Sequence, residues 1–274
     1  DLNVAVTVMD EKVLRALDNY GRKTGKRAKI HVKIDSGMHR AGLLPDEALK
    51  FIPNTENYKN IFLEGIFTHF ATSDEKDLTF THFQNKVFQE TLEKLYKNGV
   101  NIPLIHAANS GAVLQFPDSY YDLVRLGVIT YGLAPIGAAF KPRPVLSWKT
   151  KIIQIKKVKK GESVGYGRTF IAQKDIPIGL LPVGYGDGFR RSPKNWEFVL
   201  VKGGKAPILG RISMDQTSID LTKISNIKLG EEVVLIGKQG KEEITAENVA
   251  QRLGTICQEV TCVIAPRVPR IYLT

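Results

Sequence analysis

The chain has 274 residues, 43% of them hydrophobic and 24% charged, with a mean hydropathy of −0.13 and a formal net charge of +11. That composition suits a globular protein with mass for one large or two medium domains. No apolar run approaches the roughly 20 residues of a membrane span and no signal-peptide pattern occurs, so the expected compartment is the cytoplasm.

Up to about residue 135, short apolar runs alternate with helix-length amphipathic ones. LNVAVTV precedes the helix-like DEKVLRALDNYGRKTG, and IHVKID precedes PDEALKFI. LEGIFTHF precedes the long TFTHFQNKVFQETLEKLYKNG, PLIHAAN precedes SGAVLQF, and YDLVRLG closes the series. Strand–helix alternation predicts a parallel α/β architecture, with Asp35, His69 and Asn109 at the C-terminal ends of strands, where such folds place their sites.

After the Pro-rich KPRPVL at 141–146 the period changes to two. WKTKIIQIKKV, IGLLPVGY, FVLVKGGKAPILGRI, EEVVLIG and CVIAPRVPRIYL, separated by Gly-rich turns, predict a second, mostly β domain. A short helix, TAENVAQRLG, interrupts it with Thr245 as N-cap. The expected division is therefore 1–140 and 141–274. The densest basic cluster, KTKIIQIKKVKKGE at 149–162, alternates Lys with Ile and Val and has no interleaved aromatics, which predicts a half-buried strand with a solvated face rather than a nucleic-acid surface. Cys257 and Cys262 lie in ICQEVTCVIA, read as a strand. Too few for a disulfide framework or a zinc site, they are expected to be buried reduced thiols.

Four segments carry the chemistry: HVKIDSGMHRAG at 31–42, HAANSGAVL at 106–114 with DLVRLGVITYGLAP at 122–135, GESVGYGRTF around Tyr166, and LPVGYGDGFRR with LGRISMDQ. Together, in unbroken order from about residue 2 to 273, they resemble the alanine racemases, fold-type III enzymes that use pyridoxal 5'-phosphate (PLP). The resemblance implies a TIM-like α/β barrel, incomplete in this chain, over 1–140, followed by the β domain over 141–274. In that family the PLP lysine lies on the first barrel strand, in a V-x-K-A-N-A-Y-G-H-G-like stretch that these residues do not contain. The expectation is therefore a chain truncated at its N-terminus by two to three βα units.

The resemblance also implies roles. Racemisation needs bases on both faces of Cα. Tyr166 resembles one of them, with Arg40, from the D-S/T-G-M-x-R pattern, near both the tyrosine and the substrate carboxylate or cofactor; the other is the missing lysine. Arg125 resembles the arginine facing the pyridine nitrogen, and His106 the residue that orients it, although a structural histidine is the alternative. Ser110, Gly127 and Val128 resemble the phosphate-binding set. His69 resembles the residue beside the cofactor ring, the alternative being a barrel-mouth histidine without a catalytic role. Lys33 matches a lysine carbamylated in some relatives. Tyr185, Met214 and Asp215 match the residues that complete the substrate pocket, and Arg191 an outer entrance set. Since Tyr166, Tyr185 and Met214 reach the other subunit's cofactor in that family, a head-to-tail homodimer is implied, acting on a small amino acid with no nucleic-acid or membrane partner. Pro266 stands where relatives have a phosphate-contacting tyrosine, which leaves serine or a broader range of amino acids open beside alanine; a PLP-binding remnant without catalysis is the further alternative.

Overall fold

The computed structural model describes residues 3–133, 140 and 142–273. The chain divides into two compact units, one of Asp1–Thr130 with Ala134–Pro142 and one of Tyr131–Leu133 with Arg143–Thr274.

In the first unit, strand β1 (Val6–Val8), helix α1 (Glu11–Thr24), β2 (Ala28–Lys33), α2 (Pro45–Asn54), β3 (Ile61–Phe67), α3 (Thr79–Lys97), β4 (Leu104–His106) and α4 (Ser110–Gln115) follow one another. The strands form one parallel sheet in the order β1-β2-β3-β4, so every connection passes through a helix, as parallel pairing requires. Local chemistry sets the helix ends. The Asp10 side chain accepts from Val13 N at the start of α1, and Gly25 in the left-handed region ends it. Pro45 opens α2 at a position where its missing N–H costs nothing. Val8, Leu14, Ile30, Val32, Ile52, Ile66, Phe88 and Leu95 are buried in one core between sheet and helices.

YDLVRLG forms no strand. Its backbone instead runs beside β4 through isolated bonds, Asp122 N to Ile105 O at 3.0 Å and Arg125 N to Ala108 O at 2.9 Å. The Asp122 carboxylate also accepts from Ile105 N at 2.7 Å, which takes the place of a ladder bond.

In the second unit, β5 (Trp148–Lys151), β6 (Gln154–Val158), β7 (Ser163–Val164), β8 (Phe170–Ile171), β9 (Ile176–Leu181), β10 (Phe198–Val201), β11 (Gly204–Leu209), β12 (Thr217–Asp220), β13 (Glu232–Gln239) and β14 (Glu242–Ile244) precede α5 (Ala246–Leu253) and α6 (Cys257–Cys262). Among the described residues they form an eight-stranded sheet in the order β14-β13-β10-β11-β12-β9-β6, with β5 on β13, and a small β7-β8 hairpin; all pairings are antiparallel. Trp148, Phe189 and Trp196 pack edge-on and tilted with ring centroids 4.6–6.0 Å apart. Thr245 caps α5, accepting from Asn248 N at 3.0 Å.

Three expectations for this unit are corrected. ICQEVTCVIA is no strand: Cys257–Cys262 is helical, with Cys257 half-buried and Cys262 exposed, because the apolar run turns one face only, Val260 and Ile264, inward. The remainder of CVIAPRVPRIYL is irregular, since two prolines remove ladder donors. WKTKIIQIKKV breaks at Ile152 and Ile153 into two strands, and four of the five residues of β6 are exposed, so the half-buried alternation is confined to Trp148, Ile152 and Val158.

Candidate functional site

Each loop after β2, β3 and β4 carries a predicted site residue, and hydrogen bonds from outside the loops hold them. After β2, Asp35 accepts from the backbone N–H of Gly37 and His39, both at 3.0 Å, and the loop returns to the strand through Asp35 N to Leu43 O and Leu43 N to Lys33 O. Gly42 has φ +132, and a Cβ there would meet Asp35 N at 2.8 Å, so the D-S-G-M-H-R-A-G sequence is what this turn demands. The turn leaves Arg40 exposed and Lys33 buried at the strand end. Burial, then the Arg40 charge, pushes the Lys33 ammonium below its ordinary pKa.

Gln84 of α3, fully buried, pins two of these loops. Its Oε1 accepts from Ala71 N at 2.8 Å, and its Nε2 reaches His69 O at 3.2 Å and Ser36 Oγ at 3.5 Å. Asn109 caps α4 by accepting from Ala112 N, and its Oδ1 also takes the Ser73 hydroxyl at 2.6 Å. Gly111 is required next to it, because a Cβ would meet Ser73 O at 2.7 Å. Ser110 Oγ accepts from Gly127 N at 2.9 Å, which joins the α4 N-terminus to the turn that continues through Val128–Tyr131.

Arg125 lies at the centre of these loops. Its Nη2 donates to Thr68 O at 2.8 Å and Ala107 O at 2.9 Å and lies 3.3 Å from His69 Nδ1, while its Nη1 lies 2.6 Å from His106 Nδ1. Burial lowers its pKa to about 10, which leaves it a cation at neutral pH. Burial first, and the Arg125 charge second, lower His106 to about 3 and His69 to about 4, so both rings are neutral. Phe67 stacks on His106 at 4.7 Å, with the Arg125 guanidinium 5.2 Å and Lys33 Nζ 6.0 Å from its ring. The fold thus brings Lys33, His69, His106, Ser110, Arg125 and Gly127 to one end of the sheet. Phe67, Gln84, Ser73 and Glu64 belong to the same constellation and carry no motif signal, and His31, which opens the 31–42 motif, joins them through its contacts with His106 and Glu64.

The second unit gathers the other set. Gly165 and Gly167, with φ of +75 and +73, hold Tyr166 between them, and the Tyr166 side chain is 66% exposed with the Arg191 guanidinium 5.9 Å from its ring. Both glycines adopt a positive φ that L side chains rarely reach, so the Gly-Tyr-Gly pattern is a backbone requirement of this turn. The turn at Tyr185 is tied to that at Met214 by Tyr185 N to Ser213 O at 3.1 Å and Gly186 N to Met214 O at 2.8 Å. Arg267 clamps both, donating from Nε to Asp187 Oδ1 at 2.8 Å and from Nη2 to Asp215 Oδ1 at 2.7 Å. Arg267 was not singled out in the sequence, although it belongs to the R-V-P-R segment. Pro266 beside it is exposed.

The family model for the alanine racemase N-terminal domain matches residues 1–135, and that for the alanine racemase C-terminal domain matches residues 145–272. The chain belongs to the alanine racemase family. Alanine racemase 2 of Caldanaerobacter subterraneus subsp. tengcongensis is 45% identical over 99% of this chain and 71% of its own length. The crystal structure of alanine racemase from Bacillus anthracis with bound L-Ala-P has a TM-score of 0.91 at 37% identity, covering 99% of this chain and 71% of that one. A histidine racemase from Leuconostoc mesenteroides subsp. sake superposes with a TM-score of 0.88 at 27% identity, covering 99% and 73%. The fold is that of these racemases, a TIM-like N-terminal domain followed by a β domain, and the family is PLP-dependent.

The alanine racemase site of the first unit fits PLP by the chemistry of its donors. Lys33, Arg40 and Arg125 all act on His69 electrostatically, and the nearest carboxylate, Asp35, is committed to its own loop. A phosphorylated anion suits such a cationic surround. Among the described residues no His, Cys, Asp and Glu cluster could hold a metal ion, and no helix is long and apolar enough to cross a membrane.

Proposed function

We propose that this chain acts as a PLP-dependent alanine racemase that interconverts L- and D-alanine. The observation that carries this is family membership across both units, together with the cationic end of the parallel sheet where Arg125 is held by neutral partners alone.

When bound, PLP supplies the sink for the charge left on Cα once its proton leaves. Ser110 Oγ and the backbone of Gly127 and Val128 would hold its phosphate. Arg125, which donates and cannot accept, would partner the pyridine nitrogen and leave it unprotonated, which would favour proton return over transamination. His69 stays neutral beside the ring. Tyr166 moves a proton at its phenolic oxygen on one face of Cα, with the Arg191 guanidinium 5.9 Å from its ring. Arg40 binds the substrate carboxylate, and the paired turns carrying Tyr185, Met214 and Asp215 complete the pocket. Racemisation needs a second base on the opposite face of Cα, a role for which the resemblance implies a lysine. Lys33, buried among cations, is a candidate for carbamylation, which would replace one of those positive charges with a carboxylate. The assembly is a head-to-tail homodimer in the cytoplasm, and its D-alanine serves peptidoglycan synthesis.

A second reading, a broader amino-acid racemase, is favoured by Pro266, which offers no hydrogen bond where relatives place a tyrosine. The test compares kcat/KM of the holoenzyme for L-alanine, L-serine and L-histidine by chiral chromatography. Alanine at least about tenfold ahead of the others, roughly 1.4 kcal/mol of discrimination, supports the first reading. Parity supports the second, and no turnover of any of them by a protein that also carries the implied lysine defeats both.

A further inference from the structure

The guanidinium of Arg125 stands at the inner end of a chain of hydrogen bonds that runs out through β2 and β3. His106 Nδ1 lies 2.6 Å from Arg125 Nη1, His106 Nε2 lies 2.8 Å from His31 Nδ1, and His31 Nε2 lies 3.1 Å from Glu64 Oε2. The other carboxylate oxygen of Glu64 is 3.0 Å from Lys29 Nζ.

The proton positions follow from the two ends. Hydrogen bonds from Lys29 and then His31 hold the Glu64 carboxyl below the ordinary carboxylate range, so Glu64 only accepts and His31 Nε2 carries a proton. A guanidinium only donates, so His106 Nδ1 is bare and its neutral ring carries the proton on Nε2. That N–H then donates to the bare Nδ1 of His31. With His106 neutral, no other assignment satisfies the three contacts.

The packing around the chain leaves little room for another arrangement. A Cβ on Gly65 would meet His31 Cε1 and Nδ1 at 2.8 Å, so the missing side chain at 65 is what admits the imidazole. The β2-β3 register shifts at His31, and Phe67 stacks on His106 with planes 6° apart.

We propose that Glu64 and His31 are positioning residues that fix the Nε2–H tautomer of His106 and thereby hold the Arg125 guanidinium in its place at the end of the sheet. The consequence for rate rests on the reading of Arg125 as the partner of the pyridine nitrogen; the consequence for the tautomers does not.

The experiment is long-range 1H–15N spectroscopy of the holoenzyme with 15N-labelled histidine, beside steady-state kinetics on alanine. In the wild type both His31 and His106 are expected as neutral Nε2–H rings. Glu64→Gln keeps the size of the side chain but lets an amide donate to His31 Nε2, so both rings should acquire Nδ1–H population and kcat should fall about tenfold with KM nearly unchanged, a typical effect of removing an outer-shell partner. His31→Leu should do the same to His106. An imidazolium or Nδ1–H ring at His106 in the wild type overturns the proposal. So does a folded Glu64→Gln protein with wild-type tautomers. A holoenzyme that racemises no amino acid defeats the functional reading, and the tautomers alone then decide this one.

Discussion

Gly65 shows how a single absent side chain sets up the site. Gly65→Ala would drive a methyl into both the His31 ring and Leu104 O, each 2.8 Å away. Overpacking of this kind costs about 1–3 kcal/mol, and chemical denaturation should show the loss together with a fall in kcat; an alanine tolerated at wild-type stability and rate contradicts the packing described. Tyr166→Phe removes one of two bases and so should impair the two directions unequally, with solvent-deuterium incorporation from L-alanine suffering most. Equal effects in both directions would remove Tyr166 from proton transfer. The neutral histidines give a pH dependence with a definite sign. His106 and His69 have folded-state pKa values of about 3 and about 4, below the 6.5 of a free imidazole. The unfolded chain therefore binds more protons below pH 6.5, and stability is lost as pH falls from 6.5 toward 3. Far-UV circular dichroism of urea unfolding should give a midpoint lower at pH 5 than at pH 7. A midpoint unchanged over that interval runs against neutral buried rings.

At the scale of elements, the clamp on the two pocket turns is the part most open to test. Arg267 is half exposed, and exposed ion pairs contribute only about 0–1 kcal/mol each, so Arg267→Met should alter stability little. It should nonetheless release the turns at Tyr185 and Met214 and raise KM for alanine several-fold; an unchanged KM means that the backbone bonds between the turns suffice. The helices α1 and α3 and the strands β2 and β3 were legible because their apolar periods run long enough to separate 3.6 from 2. Cys257–Cys262 was not, since its six residues are too few to show a period and Ile, Val and Cys suit a strand equally well. YDLVRLG has the composition of a strand, but its pairing with β4 runs through the Asp122 side chain, which composition cannot reveal. Within the site, Ser110, Arg125 and Tyr166 stood in contiguous motifs. Glu64 and Arg267 did not, because their partners lie 33 to 80 positions away and meet them only through register and turns.

For the molecule as a whole, the proposed head-to-tail dimer makes a quantitative prediction. If Tyr166 of one subunit serves the PLP held by Arg125 of another, two inactive variants, Tyr166→Phe and Arg125→Ala, should complement on mixing. Random exchange puts half the subunit pairs into heterodimers with one intact site each, so activity should return to about a quarter of wild type. No recovery, with exchange verified by mass, would place both residues of a site on one chain. The second unit should also stand alone. Its sheet, its aromatic cluster and both tryptophans, Trp148 and Trp196, lie within 131–274, so that fragment should unfold cooperatively in urea by tryptophan fluorescence; a broad, non-cooperative change contradicts it.

The lysines of β6 gain a different meaning from their place in the sheet order. β6 ends the path β14-β13-β10-β11-β12-β9-β6, so one side of its backbone has no partner strand among the described residues, and Gln154, Ile155, Lys156 and Lys157 on it are exposed. An unpaired strand margin with Ile153 and Ile155 exposed would invite another molecule to extend the sheet. Lysines along that margin make a second copy repel the first before the backbones can join. Part of the +11 charge thus works against self-association, and a chain with Lys156 and Lys157 both replaced by threonine should keep its fold and its chemistry while forming fibrous or amorphous aggregates at concentrations the parent tolerates.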